Sequence, residues 1–163
     1  MTVLVAAASR HGATTEIAAA IGRVLHERGV DAEVAKVEDV ESLARYDAVV
    51  LGSAVYVGQW LEPARTFVDA HADELAARRT WLFSSGPIGD PPKPAPGESV
   101  RVDEIVAKTA PEEHRVFGGK IDRRHLGLAE RAVARAVRAR EGDYRDWREI
   151  RRFAEEIAAS VRD

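Results

Sequence analysis

The sequence predicts an α/β fold of three layers, with residues 1–163 forming a single domain. Its centre is a five-stranded parallel sheet in the order 2-1-3-4-5, with helices on both faces. Three observations carry this expectation. Short apolar runs alternate with segments of helical period, which is the pattern of strand–helix–strand units. The runs are nearly continuous in apolar residues, as strands covered on both faces must be. Five such strands suit a doubly wound sheet, for which 2-1-3-4-5 is a natural order.

The strands are expected over residues 3–8, 32–37, 48–51, 80–84 and 115–117. Between the first two, Ile17, Ile21, Val24 and Leu25 recur at helical spacing, and Gly29 stands where a helix would be capped. A short helix is expected over 40–45 and a longer one over 63–78, the latter with Phe67, His71 and Leu75 on one face. A last amphipathic helix places Trp147, Ile150, Ala154, Ile157 and Val161 on one stripe, with Trp147 and Phe153 directed to the core. No internal repeat is present. Residues 86–99 break the pattern, holding five of the seven prolines and three of the twelve glycines. Proline lacks the amide N–H and fixes φ, so neither helix nor central strand runs through them. The stretch follows the fourth strand, and a long loop at the carboxyl edge of a parallel sheet is expected to cover a ligand.

Composition narrows the function classes. The chain is 45% hydrophobic and 31% charged, as soluble globular proteins are. It has no cysteine, which excludes disulfides, thiolate metal sites and cysteine nucleophiles and is consistent with a cytoplasmic setting. No signal peptide is read at the N-terminus. The longest mostly apolar uncharged run, residues 48–61, has 14 residues, whereas a spanning helix needs roughly 20. The five histidines include no pair at helical i, i+4 spacing, so no metal is expected. Residues 120–152 hold 11 Lys/Arg against 6 Asp/Glu, while the rest holds 13 against 21. Such a basic region on an acidic body attracts anions or is simply a solvated face. It lacks the interleaved aromatics of a nucleic-acid binder, and none is expected as a partner.

The chemistry concentrates where the first strand meets the first helix, in the stretch SRHGATT. In an open parallel sheet, ligands bind beyond the carboxyl ends of the strands where the winding reverses. Gly12 allows a tight turn and a close approach to an anion. The free N–H groups of the helix then face the ligand, and the hydroxyls of Ser9, Thr14 and Thr15 can add hydrogen bonds. The alternative is a plain loop in which Thr14 or Thr15 caps the helix. Other phosphate motifs fail. A dinucleotide fingerprint needs three spaced glycines, and the Gly118-Gly119-Lys120 run continues with Ile121 instead of Ser or Thr. A receiver domain would carry carboxylates at Ala8 and Ser9. At the third strand end, Tyr56 and Trp60 flank Gly58 and could sandwich a flat ring. Trp60 could equally staple onto the following helix. The fourth strand ends in SSGP, offering backbone N–H groups at the same rim. Together these describe a site for a flat ring bearing one phosphate.

That constellation resembles the flavodoxin family, whose phosphate loop is broadly Thr/Ser-x-Thr-Gly-x-Thr. The resemblance implies a flavodoxin-like fold and FMN as cofactor. Ser9, Arg10, His11, Gly12, Ala13, Thr14 and Thr15 would surround the phosphate. Val55, Tyr56, Val57 and Gly58, with Ser84, Ser85, Gly86 and Pro87, would border the isoalloxazine ring. His11 stands where the family usually has a hydroxyl, and Ala13 where it usually has asparagine. Within the family the chain is most similar to the menaquinone-dependent protoporphyrinogen oxidase group. The similarity spans most of the chain, through SRHGATTEIA, GSAVYVGQW and DWREIRRFAEEI. It also includes a basic insertion before the last helix, where Arg131, Arg135 and Arg138 lie at i, i+4, i+7.

The resemblance therefore implies an FMN-dependent oxidoreductase of the protoporphyrinogen dehydrogenase (quinone) type. It would pass electrons from a reduced small molecule, with protoporphyrinogen IX as a candidate, to a quinone or similar acceptor. No residue is assigned a catalytic role. The alanine-rich basic segment implies only weak electrostatic contact with a membrane surface, through Arg131, Arg135 and Arg138. Two alternatives stay open. One is a single-electron carrier docking to a redox partner, although the ring loops lack the acidic surround expected of it. The other is a flavin-free binding module of the same fold, for which His11 and Ala13 leave room.

Overall fold

A computed structural model describes residues 1–56, 58–86, 102–118, 120–121, 142–143 and 145–162. Val57, Pro87, the proline-rich residues 87–99 and the basic residues Arg131, Arg135 and Arg138 lie outside the described residues.

Strand β1 (Thr2–Ala8) leads through helix α1 (Ala13–Glu27) to β2 (Asp31–Lys36), a 3-10 turn at Val37–Asp39, and β3 (Ala48–Tyr56). The two-residue β4 (Gln59–Trp60), α2 (Glu62–Ala76), β5 (Arg79–Ser85), α3 (Asp103–Thr109) and β6 (Glu113–Phe117) follow. Short strands β7 (Lys120–Ile121) and β8 (Gly142–Asp143) pair antiparallel apart from the main sheet, and α4 (Trp147–Arg162) comes last. The main sheet runs β2-β1-β3-β5-β6, its five long strands parallel, with β4 antiparallel on β3. Counting the parallel strands alone, this is the expected 2-1-3-4-5.

Alternation along the strands builds the two cores. Val3, Val5 and Ala7 of β1 point to one face, where α1 and α4 cover them with Ile17, Ile21, Leu25, Ile150, Phe153 and Ile157. Leu4, Ala6 and Ala8 point to the other, against Phe67, Val68 and Leu75 of α2 and Ile105 of α3. A strand buried on both sides in this way has no use for polar residues, which is why β1 reads as an unbroken apolar run. Helix α1 ends where Gly29 (φ 80°) turns the chain left-handed. The Val30 amide bonds the Leu25 carbonyl at 2.9 Å and the Gly29 amide bonds that of His26 at 3.0 Å, the paired bonds of a Schellman cap.

Three expectations need correction. The helix over 40–45 does not form. The Ser42 hydroxyl takes the Ala44 amide (3.1 Å), an option that competes with helical bonding, and Leu43 and Tyr46 serve as buried anchors instead. Strand β3 does not stop at Leu51 but continues to Tyr56, because Val55 and Tyr56 pair with Trp60 and Gln59 of β4. Trp147 is not in the core. It is 42% exposed at the first position of α4, with the Arg145 guanidinium 4.6 Å over its ring. Phe153 is fully buried, as expected. In α2, His71 sits on the expected face but at non-helical φ −122°, ψ 19°, kinking the helix there. Among the described residues no helix is long and apolar enough to cross a membrane.

Candidate functional site

From β1 the chain winds outward to β2 on one side and returns to β3 on the other. The winding therefore reverses between the carboxyl ends of β1 and β3, the place where open parallel sheets bind ligands.

The loop leaving β1 is shaped by one glycine. Gly12 lies at φ 90°, ψ −13° and is the N-cap of α1, so the helix begins with no side-chain cap. Neither Thr14 nor Thr15 takes that role: Thr14 is buried inside the first turn, and Thr15 is half-buried. The Ser9 hydroxyl instead folds the loop, accepting the Gly12 amide at 3.0 Å. The Glu16 amide reaches the Gly12 carbonyl at 3.0 Å and starts the helical ladder. The first-turn amides of Ala13, Thr14 and Thr15 precede that ladder and, among the described residues, meet no capping side chain, as an anion site requires. Arg10 and His11 are exposed beside them.

The loop after β3 faces this one. Gly58 turns the chain at φ 74°, and the half-buried Tyr56 lies with the Arg10 guanidinium 4.7 Å from its ring centre. That cation–π contact joins the phosphate-type loop to the aromatic loop. Val55 and Gly58 are also half-buried here. Trp60 does not stand beside Tyr56 as a second stacking ring. It is 2% exposed, packs within the second core, and donates its indole N–H to the Ser84 hydroxyl at 2.8 Å.

The third loop, after β5, has a different character from the one expected. Ser84, Ser85 and Gly86 are all buried. The Gly86 amide bonds the Phe117 carbonyl at 2.8 Å, so it is not a free donor at the rim. The Ser84 hydroxyl accepts from Trp60 and lies 2.7 Å from His114 Nε2. Since an indole N–H only donates, the Ser84 hydroxyl keeps its own proton to donate, and it gives that proton to His114 Nε2 in the tautomer where this nitrogen is unprotonated. Burial lowers the pKa of His114 from its usual 6.5 and keeps the ring neutral for this chain of bonds.

A stability prediction follows from that buried imidazole. The unfolded chain binds the proton more readily than the folded one. The contribution of His114 is therefore complete above the usual pKa of 6.5 and is lost as pH falls from there toward the lower folded value. A His114→Gln protein should show a flatter denaturation midpoint between about pH 7 and pH 5 in urea titrations. Parallel pH profiles for the two proteins would contradict the assignment.

One residue of the site escaped sequence reasoning. Arg145, 132 positions beyond Ala13, donates from Nη1 to the Ala13 carbonyl at 3.3 Å and pairs with Glu16 at 2.5 Å. Its side chain is only 4% exposed. No local spacing links it to the first loop, and only the packing of α4 against α1 brings it there. Among the described residues no three His, Asp or Glu side chains group as a metal site would.

The comparisons with known proteins agree in kind. The family model described as Flavodoxin domain matches residues 4–147. The protoporphyrinogen IX dehydrogenase [quinone] of Escherichia coli (strain K12) is 26% identical, over 97% of this chain and 95% of that protein. Among solved structures, a flavodoxin from the domain Archaea superposes with a TM-score of 0.68 at 20% identity, covering all of both chains. Flavodoxin 1 from Bacillus cereus superposes at 0.65 and 20% identity, covering 98% of each.

Proposed function

Since the chain belongs to the flavodoxin-domain family, we propose that it binds FMN and works as an oxidoreductase between a reduced small molecule and a quinone-like acceptor. One observation carries this reading. At the reversal point of the sheet, α1 opens on a left-handed glycine with no side-chain cap, facing an aromatic loop. The donor set fits a phosphate monoester attached to a flat ring. A Cβ built on Gly12 would meet nothing within 4 Å, so the turn itself is open at that position. FMN, when bound, supplies the redox chemistry.

The residues present divide the work. The amides of Ala13, Thr14 and Thr15 and the hydroxyl of Thr15 would hold the phosphate, with Ser9 keeping the loop in shape and Arg10 and His11 beside it. Tyr56 would lie against the ring together with Val55, Val57 and Gly58, and the 84–87 loop would form the opposite border. Arg10 would have to leave the Tyr56 face that the ring needs, and its charge would then be available to the phosphate. Trp60 and His114 hold Ser84 from below and so keep the β5 end fixed.

For the donor, the 26% identity to a protoporphyrinogen IX dehydrogenase over nearly the whole of both chains supports protoporphyrinogen IX. The surplus of positive charge in residues 120–152 would attract its propionates and favour weak contact with an anionic membrane surface through Arg131, Arg135 and Arg138. The test is anaerobic mixing of FMN-loaded protein with protoporphyrinogen IX and a menaquinone analogue, followed by porphyrin fluorescence. The expected result is porphyrin formation that requires both protein and quinone. An FMN-loaded protein that leaves the porphyrinogen unoxidised, yet exchanges electrons with redox proteins, would replace this reading with that of a carrier.

A further inference from the structure

Six polar side chains are buried among the described residues, Thr14, Ser53, Thr80, Ser84, Ser85 and Thr109, and four of them are tied into the fold. Ser53 takes the Leu61 amide at 3.1 Å, Thr80 donates to the Leu75 carbonyl at 2.9 Å, and Thr109 donates to that of Ile105 at 2.7 Å. Ser84 bridges Trp60 and His114. The hydroxyls of Thr14 and Ser85 make no hydrogen bond with the described residues, although the two residues are only 2% and 5% exposed. Every described side-chain oxygen that is itself sealed off has a partner, so these two oxygens are uncovered atoms of otherwise covered residues. A hydroxyl held in this way, with little access to water and no protein partner, is open to a ligand group.

Both residues lie on one side of the sheet. Thr14 belongs to the buried face of α1 with Ile17 and Ile21, at the end of the helix nearer the carboxyl edge of the strands. Phe83 points into the core beneath α1, and alternation along β5 sends Ser85 the same way. In register, Ala8 stands opposite Ser53 and Ser53 opposite Ser84, so Ser85 is one step beyond Ala8, level with Ser9 where the phosphate-type turn begins. Strand β3 lies between, with the small Ala54 opposite Ser85. The ends of β1 and β5 are therefore two strand spacings apart, about 10 Å. A ligand with its phosphate on the α1 turn and its ring against Tyr56 has its connecting chain in this interval. We propose that Ser85 is a specificity residue for that chain: its hydroxyl hydrogen-bonds a hydroxyl of the linker, so the site takes a polyol linker and discriminates against a hydrocarbon one. This rests on the flavin reading above. An analogue without linker hydroxyls would leave the buried Ser85 hydroxyl unpaired, which is what makes such a site selective.

The test compares FMN with an analogue that keeps the ring and the phosphate but joins them by a plain pentyl chain, on wild type and Ser85→Ala. Dissociation constants come from flavin fluorescence, and melting of the flavin-free proteins reports folding. Wild type should prefer FMN. In Ser85→Ala the FMN affinity should fall about three- to tenfold while that for the analogue stays within about twofold. The flavin-free variant should melt where wild type does, since the hydroxyl it loses has no partner among the described residues. If both ligands weaken together, Ser85 is a structural residue and the proposal is overturned. An unchanged FMN affinity in the variant, or a wild type that binds the two ligands equally, overturns it too. Should Ser85→Ala fail to fold, Ser85→Cys, which keeps the size with a weaker donor, decides by the same criteria. A wild-type protein that binds neither ligand would overturn the flavin reading itself, a distinguishable outcome.

Discussion

Replacing Phe83 by alanine should destabilise the protein by about 3–5 kcal/mol, the cost of emptying a fully packed aromatic site. Replacing Gly52 by alanine should cost about 1–3 kcal/mol by overpacking. The two should not add. Gly52 and Phe83 are cross-strand partners on β3 and β5, and a Cβ on Gly52 would fall within the Phe83 ring. The ring cannot retreat easily, because it is fully buried and stands in a row with Phe117 (6.0 Å) and Phe153 (5.5 Å from Phe117). In the double variant the alanine methyl enters space the ring has left. Its loss should then fall short of the sum by about 0.5–3 kcal/mol, read from urea denaturation. Strict additivity would mean that the glycine is there for another reason.

The second large effect falls on the site. Gly12 and Gly29 share a left-handed backbone, φ 90° and 80°, and a Cβ on either would meet nothing within 4 Å. Alanine at either position therefore brings backbone strain without a clash, about 1–2 kcal/mol. Gly29→Ala should lower stability and leave FMN binding alone, since Gly29 caps the far end of α1. With Gly12→Ala the loop is free to relax to an ordinary φ in the absence of ligand and must be forced back to present its amides. FMN affinity should then drop by roughly tenfold. Equal FMN binding by the two variants would show that the loop conformation does not matter to the ligand.

How much of this could be read in advance depends on the range of the interaction concerned. The parallel sheet and the inner face of α1 are written in local periodicity, and the apolar run of β1 and the set Ile17, Ile21, Val24, Leu25 were legible for that reason. The loop at Ser9 and Gly12 was legible too, since a turn glycine between strand and helix is a local signal. Its hydrogen bonding was not, because Ser9 rather than a threonine closes it. Strand β3 looked finished at Leu51 because Gly52 and Ser53 are loop-like residues. In the fold Ser53 buries its hydroxyl by donating to the Ala54 carbonyl and accepting the Leu61 amide. Trp60 pointed equally to stacking and to packing, and a partner 24 positions away, Ser84, decided it. Arg145 was invisible, since its role depends on α4 lying against α1.

The central claim is that the open turn between β1 and α1 is a flavin phosphate site. Titrating the purified protein into FMN, with flavin fluorescence as the signal, tests it most directly. The account predicts tight, stoichiometric quenching. No quenching at micromolar protein would contradict it and leave a flavodoxin-like module that binds something else.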